Sequence, residues 1–600
     1  MRPDDRFPSV DQAGRMIDKK PPSNRMRGVL LDWAWNHPRW KRRLRETWGL
    51  GREAAGWVRL PRPFDPPEWL ALRALARTAQ PAESGAERVL FMSWRGWSTH
   101  LAIETVLAHA VRRRGGAPIF AYCGGRLPIC DVVPVNAAPP MPCHSCREYA
   151  AGAIAAAGFE SLALHDVLNV SASVHIARQR VENLATIAEC EAYVDQGLPL
   201  GRLVRVSVAW FLSRGTLSDT PQTLDTYRSF LVSGIVVARG LRNILERTRA
   251  ERVFMLNGTF FAESIMAALA AQLGLPFGSY EKGFIHDAIV MTPNAAASRL
   301  EVPEAAWLTA RDTPLTDDED QAIEAYLGVR RRGESSLDNF WRARIEDPEL
   351  IRRSLRLGTD RPLIVMFCNI LWDSAVIGRD RAFASMGDWV VDGIQWARSH
   401  PEIDLVVRIH PAEVQLRNHQ TLERMADHIA AAFHVPPENV RVIQADDPIS
   451  SYVLMDVAAI GLVYTSTVGL ELATRGVPVV VAANTHYRGR GFTVDPDTSE
   501  AYWADVERLL KSPPDEMERR TRRELARRYA VLFFFRFHNV LAAVTEDGRS
   551  RPRILIDNAR DLEPGADPAV DRVVAGILEG IPPIAPPGVA TWRVPGLKSR

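Results

Sequence analysis

The chain has 600 residues, of which 46% are hydrophobic and 24% charged, with a formal net charge of +2. That length exceeds one core, so two or more domains are expected. The near-neutral charge gives no footprint for nucleic acid, no apolar run reaches the ~18–20 residues needed to span a bilayer, and six cysteines in so long a chain are not a disulfide scaffold.

The first twenty residues lack the apolar core of a secretory signal, so a cytoplasmic protein is expected. Residues 1–84 read as an irregular arm rich in Trp, Arg and Pro. Within it, WAWNHPRWKRRLRETW at 33–48 mixes aromatics with positive charge. One reading is a peripheral contact at the inner face of the membrane, with Trp at the interface and Arg on anionic lipid. The other is an arm packed on its own domain, and Pro38 interrupts any long amphipathic helix there.

A first Rossmann-like domain is expected over 85–311. The buried-type run at 89–92 precedes a turn, Ser93, Trp94, Arg95 and Gly96. A helix follows to about Arg114, with Ala102, Val106, Leu107 and Ala110 on one face. Gly115 and Gly116 stop it, and a strand returns at 118–122. This β-α-β order argues for a parallel sheet. Next comes a cysteine set, Cys123, Cys130, Cys143 and Cys146, spaced C-x6-C-x12-C-x2-C. Four thiolates suit one structural Zn²⁺; an iron–sulfur cluster or reduced thiols remain open. Residues 175–250 read as a helical insertion. A further β-α-β unit spans 253–280, turning at Asn257 and ending in Glu281, Lys282 and Gly283.

A helical linker at 312–360 leads to a second Rossmann-like domain at 361–545. Its expected strands lie at 362–367, 404–409, 440–444 and around 460 and 480. Helices are expected at 387–399, 419–433, 448–455 and within 500–545. A proline-rich tail, 546–600, is expected to be extended, with one short helix near 568–579. In two such doubly wound domains facing a cleft, ligands bind outside the carboxyl ends of the strands.

The candidate residues fall at those ends. The 404–409 strand ends in Arg408, His410, Pro411 and Glu413, and the imidazole there can bond a phosphate or ribose or move a proton. Thr465, Ser466 and Thr467 open a helix with Glu471 one turn in. Hydroxyls and unpaired N–H groups at a helix start suit a phosphate. Plain capping explains only one hydroxyl. Arg488 and Arg490 lie in a Gly-flanked loop suited to neutralising a leaving group. Asn369 and Asp373 follow the first strand of the second domain, in a long loop. Glu281 is the leading candidate for acceptor binding or general base, with Asn257 and Gly283 beside it; the alternative is a surface charge pair with Lys282.

RIHPAE at 408–413, YTSTVGLELATRGVPVVV at 464–481 and THYRGRGFT at 485–493 resemble the motifs of bacterial capsule polysaccharide biosynthesis proteins, the group that includes the capsular β-Kdo transferases. The resemblance implies a GT-B fold and sugar transfer from a nucleotide donor. It implies His410 and Ser466 or Thr467 at the nucleotide phosphate, with Glu471 near the nucleotide. The first domain departs from the family in lacking its Gln-Pro stretch with adjacent acidic residues. The expectation is a glycosyltransferase of surface-polysaccharide assembly, taking a CMP- or UDP-sugar and a glycan or lipid-linked acceptor without a catalytic metal. The alternatives are a polyol-phosphate transferase of the teichoic-acid type, a nucleotide-sugar 2-epimerase, for which no set of catalytic acids is evident, and an inactive glycan-binding or scaffold module.

Overall fold

The computed structural model describes residues 65–136, 141–332, 346–416, 419–547 and 551–588. The Trp/Arg stretch at 33–48 lies outside them. Among the described residues no helix is long and apolar enough to cross a membrane.

The first sheet is built from β1 (Glu87–Met92), β2 (Gly116–Tyr122), β3 (Ser161–Ala163), β4 (Arg252–Leu256), β5 (Phe277–Lys282) and β6 (Ala288–Pro293). The second is built from β7 (Leu363–Phe367), β8 (Asp404–Arg408), β9 (Val440–Ile443), β10 (Ile460–Val463) and β11 (Val479–Val481). A further short strand, β12 (Asn539–Val540), returns to the first sheet, antiparallel to β6. The orders are β12-β6-β5-β4-β1-β2-β3 and β11-β10-β7-β8-β9. The second sheet is parallel throughout, and the first is parallel from β3 to β5. The fold is therefore α/β and GT-B-like, with two doubly wound Rossmann-like sheets.

The strands are apolar on both faces because both faces are covered. In β7, Leu363, Val365 and Phe367 enter one core while Ile364 and Met366 enter the other, as side chains alternate along a strand. Doubly wound order places a switch point between β7 and β10 in the second sheet and between β1 and β4 in the first. Neighbouring connections leave in opposite directions there, opening a crevice at the carboxyl ends.

Three stretches differ from their expected form. Residues 67–78, expected irregular, make the helix Pro67–Thr78, with Trp69, Leu72 and Leu75 buried in the first core. The spacing of three is a helical stripe, and Pro at the first turn starts it well. The helix expected at 419–433 begins only at Met425, because His419 is stacked on Trp372 at 4.3 Å between ring centroids. The proline-rich tail carries its expected helix, Pro568–Glu579, but is not an extended appendage. Val570, Val573, Val574 and Ile577 pack into the first core.

Candidate functional site

At the second switch point, Phe367 pairs with Arg408 on one side and Val463 on the other. The residues that follow these strands therefore emerge side by side, about 4.8 Å apart in the sheet direction. Asn369 Oδ1 accepts the Thr465 N–H at 3.3 Å, joining the two ends across the switch point. Thr465 Oγ1 is buried there and has no hydrogen-bond partner among the described residues. Ser466 and Thr467 are half-buried. Ser466 Oγ accepts the Val468 N–H at 3.3 Å, while Thr467 makes no side-chain cap. The helix they open, Val468–Ala473, has six residues. Its dipole is correspondingly short, so the hydroxyls and N–H groups carry more of any anion binding than the helix does.

His410 stands one strand over and is half-buried. Pro411 sets the turn, and the Ala412 N–H donates to His410 Nδ1 at 3.1 Å. The neutral ring then carries its proton on Nε2. Burial, helped by the Arg408 charge, pushes the imidazole down to about 4. His410 is thus a neutral donor at physiological pH.

Facing this edge is the first sheet. Glu281, at the end of β5, is held by its neighbour's backbone, the Lys282 N–H donating to Oε1 at 2.8 Å, and by the Asn257 side chain. Asn257 is itself buried at the end of β4. Burial pushes Glu281 up to about 7, and the Asp373 carboxylate from the second unit adds to the rise. Asp373 is also raised by burial. Two half-buried carboxyls from opposite sheets thus share one electrostatic environment. Arg379 lies beside Asp373 and donates to the carbonyls of Ser298 at 3.2 Å and Arg299 at 3.3 Å, crossing from the second unit to the first. Burial lowers it to about 10, so it stays cationic. Sequence reasoning missed Arg379; a lone arginine in a loop gives no local signal of crossing a cleft.

Other expected site residues have different surroundings. Arg408 is 2% exposed and donates to the Gln444 carbonyl at 2.5 Å, inside the sheet edge rather than at its rim. Glu413 caps the helix Met425–Ala432, its Oε1 accepting the Met425 N–H at 3.1 Å. Glu471 is 1% exposed and bonds Arg330 at 2.8 and 3.0 Å. Arg488 ties its own loop by donating to the carbonyls of Val481, Asp495 and Pro496. Arg490 reaches Glu304 and the Val302 carbonyl in the first half of the chain. Lys282 pairs with Glu546 at 2.7 Å. Gly283 is a close approach: a Cβ there would collide with the His538 ring. The structure joins Asn369 to Thr465 across the switch point and sets Glu281 against Asn257 and within reach of the Asp373 charge; Ser466 and Thr467 follow Thr465, and His410 follows the neighbouring strand β8. It places Arg408, Glu413, Glu471, Arg488, Arg490 and Gly283 in supporting contacts.

The four clustered cysteines line one cavity beside the ends of β1 and β2. Among the described residues no group of three or more His, Cys, Asp or Glu side chains has the spacing to hold a single metal ion.

No protein-family model matches the sequence, and neither does any curated protein sequence. Among solved structures, the chain is similar to a KpsC β-Kdo 2,4 transferase from Thermosulfurimonas dismutans, at 15% identity and a TM-score of 0.32, over 52% of this chain and 87% of that one. It is also similar to a UDP-GlcNAc 2-epimerase from Neisseria meningitidis, at 10% identity and a TM-score of 0.23, over 74% and 99% of the two chains. A sucrose-phosphate synthase from Thermosynechococcus elongatus stands at 12% and 0.27, over 74% and 95%. Such low scores and identities leave the chemistry to be argued from the site's own residues.

Proposed function

We propose that this chain is a glycosyltransferase that moves a sugar from a CMP- or UDP-linked donor to a hydroxyl of a glycan or lipid-linked acceptor in surface-polysaccharide assembly. The observation that carries this reading is the switch point of the second sheet, where Asn369 accepts the Thr465 N–H and the buried Thr465 Oγ1 has no hydrogen-bond partner among the described residues, with Glu281 of the first sheet within reach of the Asp373 charge. A nucleotide phosphate would lie at Thr465, Ser466 and Thr467, with His410 Nε2–H as a neutral donor. Such preorganised donors stabilise charge as it develops on the leaving phosphate. Arg379 is the cation placed to offset that charge.

Glu281, raised to about 7, suits a general base at neutral pH. It would take the acceptor hydroxyl's proton while the acceptor oxygen bonds to the anomeric carbon. The bond from that carbon to the phosphate oxygen breaks in the same step, and the nucleotide leaves with the electron pair. The Asp373 charge makes Glu281 a stronger base, and Glu281 gives the proton up to solvent before the next turnover.

Thermal-shift and calorimetric titration against CMP, UDP and their sugars tests the donor half. Stabilisation by one nucleotide series is expected. No binding of any nucleotide would sink the proposal. Binding with no release of nucleotide from any sugar donor would favour the inactive binding module instead.

A further inference from the structure

The cysteine cavity stands apart from the proposed donor site and has its own construction. Cys123 follows β2 directly, Cys130 lies in the next loop, and Cys143 and Cys146 occupy the first turn of the helix Cys143–Ala156. All four border a single cavity. Its exposed wall is almost wholly apolar. None of the four forms a disulfide, and each is half-buried rather than lost in the core. The other two cysteines, Cys190 and Cys368, are fully buried elsewhere.

Backbone donors converge on the sulfurs. The Gly96 N–H donates to Cys146 Sγ at 3.0 Å. The Gly125 N–H faces Cys123, and the Val132 N–H faces Cys130. N–H groups aimed at sulfur tune metal-bound sulfur. The approach at Gly96 is tight: a Cβ there would run into the Cys146 carbonyl. Nearby, Arg95 is 4% exposed and is fixed by Asp131 at 2.7 Å and Glu263 at 2.5 Å. Its guanidinium lies near Cys130, with its charge matched by those two carboxylates, and Cys130 Sγ itself donates to Asp131 Oδ1 at 3.7 Å.

One tetrahedral Zn²⁺ needs sulfurs about 3.8 Å apart, from Zn–S bonds of about 2.3 Å. Among the described residues no group of three or more His, Cys, Asp or Glu could hold one metal ion, although all four cysteines line one space. A polynuclear cluster needs the wider arrangement, because its thiolates bind different iron atoms at its corners. We propose that Cys123, Cys130, Cys143 and Cys146 hold an iron–sulfur cluster that ties the loop after β2 and the start of the helix Cys143–Ala156 to the turn after β1.

The test is anaerobic purification of the full chain, with iron, acid-labile sulfide and zinc measured per chain and visible absorption recorded. Preparations low in metal are reconstituted with ferrous iron and sulfide under reducing conditions. Iron and sulfide in equal amounts, at two or more of each per chain, with a broad visible band, are expected. Cys123→Ser and Cys146→Ser should lose the band and most of the iron, while Cys190→Ala keeps both. One zinc per chain without sulfide would overturn the proposal, and so would no bound iron after reconstitution. Should the serine variants fail to fold, the wild-type stoichiometry still decides.

Discussion

Replacing Arg330 with Met should destabilise the second unit by about 3–5 kcal/mol, the cost of leaving a buried charge without its partner. Arg330 comes from the helix Asp317–Arg331 and Glu471 from Val468–Ala473, 141 residues apart. Glu471 is 1% exposed, and its Oε1 accepts two hydrogen bonds from one guanidinium, at 3.0 and 2.8 Å. Charge-assisted hydrogen bonds contribute about 1.5–3 kcal/mol each to stability, so two of them account for the same range. The guanidinium also sits over Phe284, Tyr326 and Phe534, within 5.6–5.9 Å of each ring centroid. Met keeps much of that packing, which makes Arg330→Met a test of charge rather than volume. The double variant Arg330→Met with Glu471→Leu removes both charges and should recover all but about 1–2 kcal/mol. The double variant is then about 2–3 kcal/mol more stable than Arg330→Met alone. Urea unfolding followed by tryptophan fluorescence reads the transition of this unit, with nucleotide affinity measured on each folded variant. A cost below about 1 kcal/mol for Arg330→Met would refute the reasoning. So would a double variant no more stable than the single one. A separate loss of nucleotide affinity in Glu471→Gln, at unchanged stability, would return that carboxylate to the ligand.

Three further outcomes are expected. Glu281→Gln should lower turnover about 10²–10⁴-fold while leaving nucleotide affinity within about twofold. In the wild type, kcat/KM should rise with pH through about 7 as Glu281 loses its proton, and Asp373→Asn should move that rise to lower pH; a profile that ignores Asp373 would separate the two carboxyls. His410→Ala should weaken nucleotide binding by about 0.5–1.5 kcal/mol, the net contribution of one hydrogen bond. Because His410 is neutral down to about 4, wild-type affinity should show no inflection from this group near pH 6.5, and a gain on acidification there would contradict a neutral donor. Gly283→Ala should cost about 1–3 kcal/mol by overpacking against the His538 ring, measured by thermal unfolding, and His538→Ala in the same chain should relieve part of it.

The parallel strands were legible because each is a short apolar run between turn residues, and the carboxyl-end motifs followed from their order. Asn369 and His410 could be named because they come directly after such runs, and Asp373 because it lies in the loop that follows one. What was not legible depends on partners far away in sequence. Glu471 looks like a carboxylate near a helix start; only the fold shows Arg330 reaching it. Arg488 and Arg490 look like free positive charge, yet backbone carbonyls and Glu304 take up their donors. The grouping of four cysteines was readable from spacing, whereas the cavity between them depends on how β1, β2 and the following helix are placed. The two-residue strand β12 is too short to carry any period.

The return of the chain to its first sheet has a consequence for synthesis. After the helix Glu516–Val531, residues 532–537 form a π-helical turn, and β12 then completes the edge of a sheet whose other strands were made hundreds of residues earlier. The helix Pro568–Glu579 covers that same sheet. An emerging chain therefore cannot finish its first half when that half leaves the ribosome. The face destined for Val570, Val573 and Val574 stays uncovered throughout translation of the second sheet, so a stalled or truncated product would show an apolar surface that chaperones or proteases recognise.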